Sequence, residues 1–239
     1  MPAPSSRNAP FSISADVLAY REGGFSFTTQ LVWMDRKGRE MGALGAAGLN
    51  FFPSLSPDEA RVAISRWDRT TNLDIWLIDL SRNTTERLTS DPDFEVSAVW
   101  SPDGEGIVFG SSKTGTFDVY RKLVDGMAPE EVVFASPSAD EPHDWSSDGR
   151  FVLVVESSAD LWVVPMAGDR KPFPFLNTKF AERQPRLSPD GRGLPTRPMS
   201  PAPGRSTSRN SRARAEDGWF RLGAGSIRDG GATGWSSSI

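Results

Sequence analysis

Four polar residues precede a repeated turn by the same distance, and their chemistry points to a binding surface. Each lies six residues before a turn serine, which is Ser56, Ser101, Ser146 or Ser188. We expect the shared register to place them on loops that lead into one strand of each repeat, around the mouth of a common channel. Carboxylates at such a mouth favour a cation or a basic peptide segment, although charged residues are also ordinary on exposed loops. The four residues are Asn50, Glu95, Asp140 and Glu182.

A second set of four acids lies inside the repeated turns. A recurring aspartate could indicate calcium, but each of these lies in a different repeat, so the four cannot converge on one ion. Each also has a local role, because an aspartate in a Ser-Pro-Asp-Gly turn can hydrogen-bond its own backbone. We therefore interpret them as structural turn residues and predict no metal site. They are Asp58, Asp103, Asp148 and Asp190.

The motifs that would point to a known enzyme chemistry are missing from the sequence. There is no cysteine, and the one histidine, His143, cannot form a histidine metal cluster. No Gly-x-Ser-x-Gly motif is present. In GSSKTGTF (110–117) the lysine precedes the last glycine, unlike the lysine of a phosphate-binding loop. The sequence predicts a protein that is not an enzyme and needs no cofactor.

The chain repeats itself with a period of 42 to 45 residues. A second motif, Asp followed by an aliphatic residue and then Trp or Tyr, recurs with the same period in DIW (74–76), DVY (118–120) and DLW (160–162). Two motifs with one period are a strong indication of a structural repeat. The turn serines are Ser14, Ser56, Ser101, Ser146 and Ser188, separated by 42, 45, 45 and 42 residues.

Each repeat has the pattern of four short strands. Pro, Asp and Gly supply the turn, and the runs on either side are β-rich and of strand length. Four strands in roughly 40–50 residues is the size of a propeller blade. We predict an all-β, incomplete propeller of four-stranded blades, derived from a six-bladed ancestor. The predicted blades are 11–49, 50–94, 95–139, 140–181 and the start of a fifth at 182–193, after a disordered segment at 1–10.

The repeat resembles that of a known family. WSPDG (100–104) followed by an apolar strand, the DIW-type motif and a closing RLT (87–89) is similar to the repeat of TolB-like propellers, bacterial relatives of WD-type blades. The resemblance covers about 11–192 and departs from the pattern at Val17, Glu59 and Ser147. It implies a propeller used for binding. Such propellers occur as free periplasmic proteins, behind bacterial serine/threonine kinases and in front of prolyl-oligopeptidase-type hydrolases.

The β pattern ends after Arg192, and residues 194–239 are rich in Pro, Ser, Arg and Gly. A natural disordered tail is one explanation, and a frameshift is the other. Codons read from the third base over 226–239 permit Asp-Pro-Arg-Trp-Arg-Arg-Asp-Gly-Leu-Glu-Leu-Phe-Tyr, which is another blade start, about one period after Ser188. We favour a frameshift near Gly193 that truncates the propeller, and we expect 194–239 to be disordered. Genomic DNA without a repeat in that frame would contradict this.

Composition limits the partners and the compartment. The net charge of −4 argues against nucleic acid, and no run approaches the roughly 18 apolar residues of a membrane helix.

We predict a non-enzymatic interaction or sensing module that binds a protein, peptide or small ligand on one face. The alternative is a fragment of the regulatory propeller of a kinase or hydrolase. No signal peptide is visible, so we expect a cytoplasmic chain unless it belongs to a longer periplasmic or extracytoplasmic protein.

Overall fold

The computed structural model of the chain is built from β-strands. Within the residues that it describes, every regular element is a strand. The same residues contain no helix that is long and apolar enough to cross a bilayer. The predicted all-β class is confirmed. The described residues are 11–13, 18–22, 28–67, 72–157, 160–176, 180–182, 185–187, 193–195, 198–201 and 219–221.

The first two blades form one continuous seven-stranded sheet because they share a long strand. The first half of that strand, β4, pairs with β3 of the first blade, and its second half pairs with β5 of the second blade. The strands are β1 (Phe11–Ile13), β2 (Leu18–Glu22), β3 (Thr29–Met34), β4 (Glu40–Leu55), β5 (Arg61–Trp67), β6 (Leu73–Asp79) and β7 (Thr84–Arg87).

A glycine lies inside β4 close to the point where the strand passes between blades. Gly45 has a φ of 63°, and a Cβ at this position would lie 3.0 Å from Ile78 Cδ1. Glycine adopts this conformation without a steric penalty and permits close approach of a neighbouring side chain. The residue therefore allows the strand to turn from one blade into the next.

The third and fourth blades are separate four-stranded antiparallel sheets. In each, neighbouring strands follow one another in the sequence, as expected for a propeller blade. The third consists of β8 (Glu95–Trp100), β9 (Gly106–Ser111), β10 (Asp118–Leu123) and β11 (Glu131–Phe134); the fourth consists of β12 (Asp140–Trp145), β13 (Phe151–Glu156), β14 (Leu161–Pro165) and β15 (Phe173–Leu176).

Two short strand pairs follow the fourth blade. β16 (Phe180–Glu182) pairs with β18 (Pro198–Pro201), and β17 (Gly193–Pro195) pairs with β19 (Trp219–Arg221). Antiparallel pairing satisfies the backbone N–H and C=O groups of these short strands, and the predicted disorder of 194–239 stays a prediction. The remainder of the predicted tail, the predicted segment 1–10 and much of the predicted fifth blade lie outside the described residues.

Successive blades pack face against face through apolar side chains. Blades one and two meet through Leu31 and Ile64, and blades two and three through Leu77 and Phe109. A third cluster joins blades three and four in the same way. Its buried members are Val108, Val119, Phe134, Trp145, Val152, Val154 and Val164.

The first strands of successive blades lie beside one another. The second half of β4 contacts β8, and β8 contacts β12. The Ser97 N–H donates to Ser65 Oγ at 3.2 Å, and the Trp100 Nε1–H donates to the Ser54 carbonyl at 2.9 Å, both between blades two and three. Because the innermost strands of a propeller surround its central channel, we call β4, β8 and β12 the channel strands.

The repeated turns close one end of the blades, which we call the turn end. In the third blade the Gly104 N–H donates to the Ser101 carbonyl at 2.9 Å. Asp103 Oδ1 accepts the Ser101 hydroxyl and the Glu105 N–H, and these hydrogen bonds hold the pKa of Asp103 below its usual value. Equivalent hydrogen bonds are made by Asp58 and Asp148, whereas Asp190 lies outside the described residues.

Candidate functional site

Three of the four residues that precede the turns lie at the opposite end of the channel strands, which we call the acid end. Asn50, Glu95 and Asp140 are 1%, 0% and 1% exposed. Glu95 is the first residue of β8 and Asp140 the first of β12, while Asn50 lies within β4. The sequence predicts loops that enter these strands, whereas in the structure each of the three residues already pairs with the neighbouring strand of its blade. Glu182 is the last residue of β16, and its side chain is outside the description.

Glu95 is a buried carboxyl held by two hydroxyl groups. Thr89 Oγ1 donates to one oxygen at 3.2 Å, and Ser111 Oγ donates to the other at 3.3 Å. Burial, with a smaller contribution from the nearby charge of Asp74, raises the pKa of Glu95 to about 8 against the opposing effect of the two hydroxyls. At neutral pH this carboxyl is therefore mostly protonated.

Asp140 has a similar but less apolar environment. Ser136 Oγ donates to Asp140 Oδ1 at 2.9 Å, while the buried Oδ2 accepts no hydrogen bond. Burial raises the pKa of Asp140 to about 6, with further contributions from the charges of Glu156 and Asp118. Most Asp140 side chains are consequently ionised at pH 7, and one buried oxygen has no hydrogen-bond partner among the described residues.

Asn50 takes the equivalent position without a charge. Its N–H donates to Thr29 Oγ1 at 3.1 Å, and its Nδ2 donates to the Ala46 carbonyl at 3.2 Å. The buried Oδ1 accepts no hydrogen bond. Like Asp140, Asn50 thus presents a buried acceptor oxygen, a group that is costly to leave without a partner.

A second acid lies beside Glu95, and another lies beside Asp140; their positions relative to the turns do not indicate them. Asp74 lies beside Glu95, and Asp118 lies beside Asp140, close enough for each to raise the pKa of its neighbour. Both aspartates are buried, at 0% and 3% exposed, and so is Asp160, at 6%. They are the first residues of the DIW, DVY and DLW motifs, so their period of 44 and 42 residues was a visible signal.

The closing RLT motif connects the two acids of the first pair. Arg87 Nη2 lies 2.7 Å from Asp74 Oδ2, although neither oxygen of Asp74 accepts an aligned hydrogen bond. Arg87 therefore contributes an opposite charge to the buried carboxylate. Thr89 Oγ1 accepts the Ile75 N–H at 2.9 Å while donating to Glu95, which ties β6 of the second blade to the start of β8.

The arrangement provides acceptors and partial negative charge rather than reactive groups. Because Glu95 is mostly neutral at pH 7, the negative electrostatic potential at the channel mouth is weaker than three ionised carboxylates would make it. No cluster of three or more His, Cys, Asp or Glu within the described part of the chain could hold a metal ion. His143 is 8% exposed and lies within β12, beside a register shift. The acid end is therefore chemically suited to binding donors.

The fold and the comparisons agree on the class of protein. A family model described as the TolB β-propeller domain matches residues 26–194. The chain belongs to the TolB β-propeller family. A TolB-type protein from Agrobacterium tumefaciens superposes with a TM-score of 0.66 at 20% identity, over 80% of this chain and 69% of that one. TolB from Acinetobacter baumannii gives a TM-score of 0.63 at 22% identity, over 76% of this chain and 45% of that one.

Curated relatives match over shorter stretches. An uncharacterized protein of Agrobacterium fabrum is 33% identical over 92 residues, which is 38% of this chain and 31% of that protein. A protein named as a dipeptidyl-aminopeptidase B, from Talaromyces marneffei, is 27% identical over 149 residues, covering 51% of this chain and 16% of that protein. The matched region thus spans less than a third of either relative.

Proposed function

We propose that this chain is a non-enzymatic propeller module that binds a protein or peptide at its acid end. The observation that carries the proposal is the repeat of paired buried acids, Asp74 with Glu95 and Asp118 with Asp140, beside the first residues of successive channel strands. A ligand that crosses the mouth of the channel would meet the same acceptor chemistry from one blade to the next. Repetition of this kind suits an extended chain with regularly spaced donors.

The two ends of the blades differ in whether their side-chain acceptor oxygens already have hydrogen-bond partners. At the turn end, the aspartates of the described turns accept hydrogen bonds from their own turn. At the acid end, Asn50 Oδ1 and Asp140 Oδ2 are buried acceptors without a partner. Because such groups cost free energy until a donor reaches them, a ligand that supplies donors gains more at the acid end.

A second candidate is that the chain is the propeller portion of a larger enzyme. The observation in its favour is the similarity to the protein named as a dipeptidyl-aminopeptidase B, which covers only 16% of that protein. In this case catalysis would belong to a domain other than the propeller, and the acid end would bind a substrate or a regulatory peptide. The compartment would follow that of the longer protein, with a periplasmic or extracytoplasmic site for a TolB-like one.

The proposal is tested by selecting peptides against the whole chain from a random library and mapping their contacts by hydrogen–deuterium exchange. We expect slower amide exchange at the starts of β8 and β12 and in the loop 112–117, which connects β9 and β10 at the acid end. The turn 101–105 of the same blade is the internal control and should be unchanged. Protection confined to the turns, or no enriched peptide, would contradict the proposal.

A further inference from the structure

An exposed aromatic pair lies at the acid end next to the buried acids. Trp67 is the last residue of β5, and Phe94 directly precedes Glu95. Each is 41% exposed, their ring centroids are 5.7 Å apart, and their planes are tilted by 54°. Exposed aromatic rings in contact with each other and surrounded by polar residues are typical of interaction surfaces. We call this pair the aromatic platform.

The backbone that carries Phe94 is fixed in place. Its N–H donates to Ser112 Oγ at 3.0 Å, and its carbonyl accepts the Ser112 N–H at 3.0 Å. Asn72 Nδ2 donates to the carbonyls of Asp91 and Asp93, which holds the preceding loop against the start of β6. A platform that is already ordered loses little conformational entropy when a ligand stacks on it.

The surroundings of the platform are acidic. Asp93 directly precedes Phe94, and no cation among the described residues lies within ion-pairing distance of its carboxylate. Asp91, two residues earlier, is already paired with Lys113. A cation above these rings would therefore gain both cation–π attraction and the nearby negative charge of Asp93, which has no ion-pair partner among the described residues.

We propose that the aromatic platform receives the arginine side chains of an extended, basic peptide segment of a partner protein. The inference rests on the proposed function and adds the chemistry of the partner. Arginine fits because its planar guanidinium stacks on aromatic faces and carries the charge that complements Asp93. The rest of the peptide then lies toward the channel mouth, near the starts of β8 and β12.

The test is fluorescence anisotropy of a labelled Gly-Ser-Arg-Gly-Ser-Arg-Gly-Ser peptide titrated with the full chain. We expect Trp67→Ala and Phe94→Ala each to weaken binding about three- to tenfold, and Asp93→Asn to weaken it less and to reduce its dependence on salt. Phe94→Leu keeps apolar volume but removes the π face, and it should lose nearly as much as Phe94→Ala. Met127→Ala is the control, because Met127 is 90% exposed at the turn end.

Two comparisons decide the outcome. A peptide with citrulline in place of arginine keeps the shape but loses the charge, so binding equal to that of the arginine peptide would overturn the proposal. Equal losses in Met127→Ala and in Phe94→Leu would also overturn it, since the contact would then be non-specific. If library peptides protect the acid end while the arginine peptide does not bind, this inference fails and the proposed function stands. If neither binds there, both fail.

Discussion

Replacing Arg87 with alanine is expected to lower the free energy of unfolding by about 3 kcal/mol, because it leaves the Asp74 carboxylate buried without an opposite charge. Asp74 is 0% exposed, and Arg87 Nη2 lies 2.7 Å from its Oδ2. Chemical denaturation in urea at pH 7 measures the loss. Since the Arg87 side chain is itself 28% exposed, we expect a value near the lower end of those measured for buried pairs.

An exposed ion pair in the same blade provides the matched control. Arg82 Nη1 lies 3.8 Å from Asp79 Oδ2, and its side chain is 79% exposed, so Arg82→Ala should cost less than about 1 kcal/mol. Adding Asp74→Asn to Arg87→Ala removes the stranded charge and should recover much of the loss. Equal losses in the two arginine variants would show that burial of Asp74 does not decide the effect.

The stability of the chain is expected to fall as the pH rises from 5 to 8, and Glu95 is the main cause. Its pKa is about 8 in the folded chain, compared with 4.5 for an unperturbed glutamate. Between these values the folded state binds a proton that the unfolded state has released, so raising the pH favours unfolding. The contribution is fully present below about pH 4.5 and is lost by pH 8. Each titrating carboxyl changes the free energy of unfolding by at most about 1.4 kcal/mol per pH unit.

Asp140 also lowers the free energy of unfolding as the pH rises, but over a lower pH range. Its pKa of about 6, raised from 3.8 chiefly by burial, limits its contribution to pH values below 6. Above pH 6 the slope reports chiefly on Glu95, beside which lie Asp74, Thr89 and Ser111, with the charge of Glu130 at longer range. Asp144, whose pKa is also raised by burial, acts in the same direction. Turn aspartates such as Asp103 have lowered pKa values, so their contribution to the stability of the chain is lost only in more acidic solutions.

Glu95→Gln separates this effect from all other titrations. The amide keeps an acceptor and cannot ionise, so the variant should show a nearly flat free energy of unfolding between pH 6 and pH 8. Glu105→Gln is the matched control, because Glu105 is an exposed residue of the Ser101 turn. Urea unfolding at pH 6, 7 and 8 measures the three slopes. A slope in Glu95→Gln equal to that of the unchanged chain would rule out a protonated Glu95.

The fold could be predicted from the sequence because its signals are local and repeated. Ser, Pro, Asp and Gly specify the turn through short-range backbone geometry, and short β-rich runs on both sides specify strands. The same register argument predicts a common position for Asn50, Glu95 and Asp140, which in the structure lie at the acid end. Their burial was not predicted, because it depends on groups from elsewhere in the blades, such as Thr89 and Ser111 around Glu95.

The aromatic platform could not be found by comparing repeats. The position of Phe94 is occupied by Leu49 and Ala139 in the neighbouring blades, and that of Trp67 by Ser112 and Ser157. The contact thus forms between residues 27 positions apart, and the equivalent positions named here hold no aromatic residue. Only the packing of the second blade against the start of β8 brings them together.

The central claim is that ligands bind at the acid end rather than at the turn end. Photo-crosslinking tests it most directly, with benzoylphenylalanine introduced at Thr116 in one chain and at Met127 in another. Both positions are exposed and belong to the third blade, but they lie at its opposite ends. The account predicts that a peptide selected against the chain crosslinks to position 116 and not to 127. Crosslinking to 127 alone would contradict it.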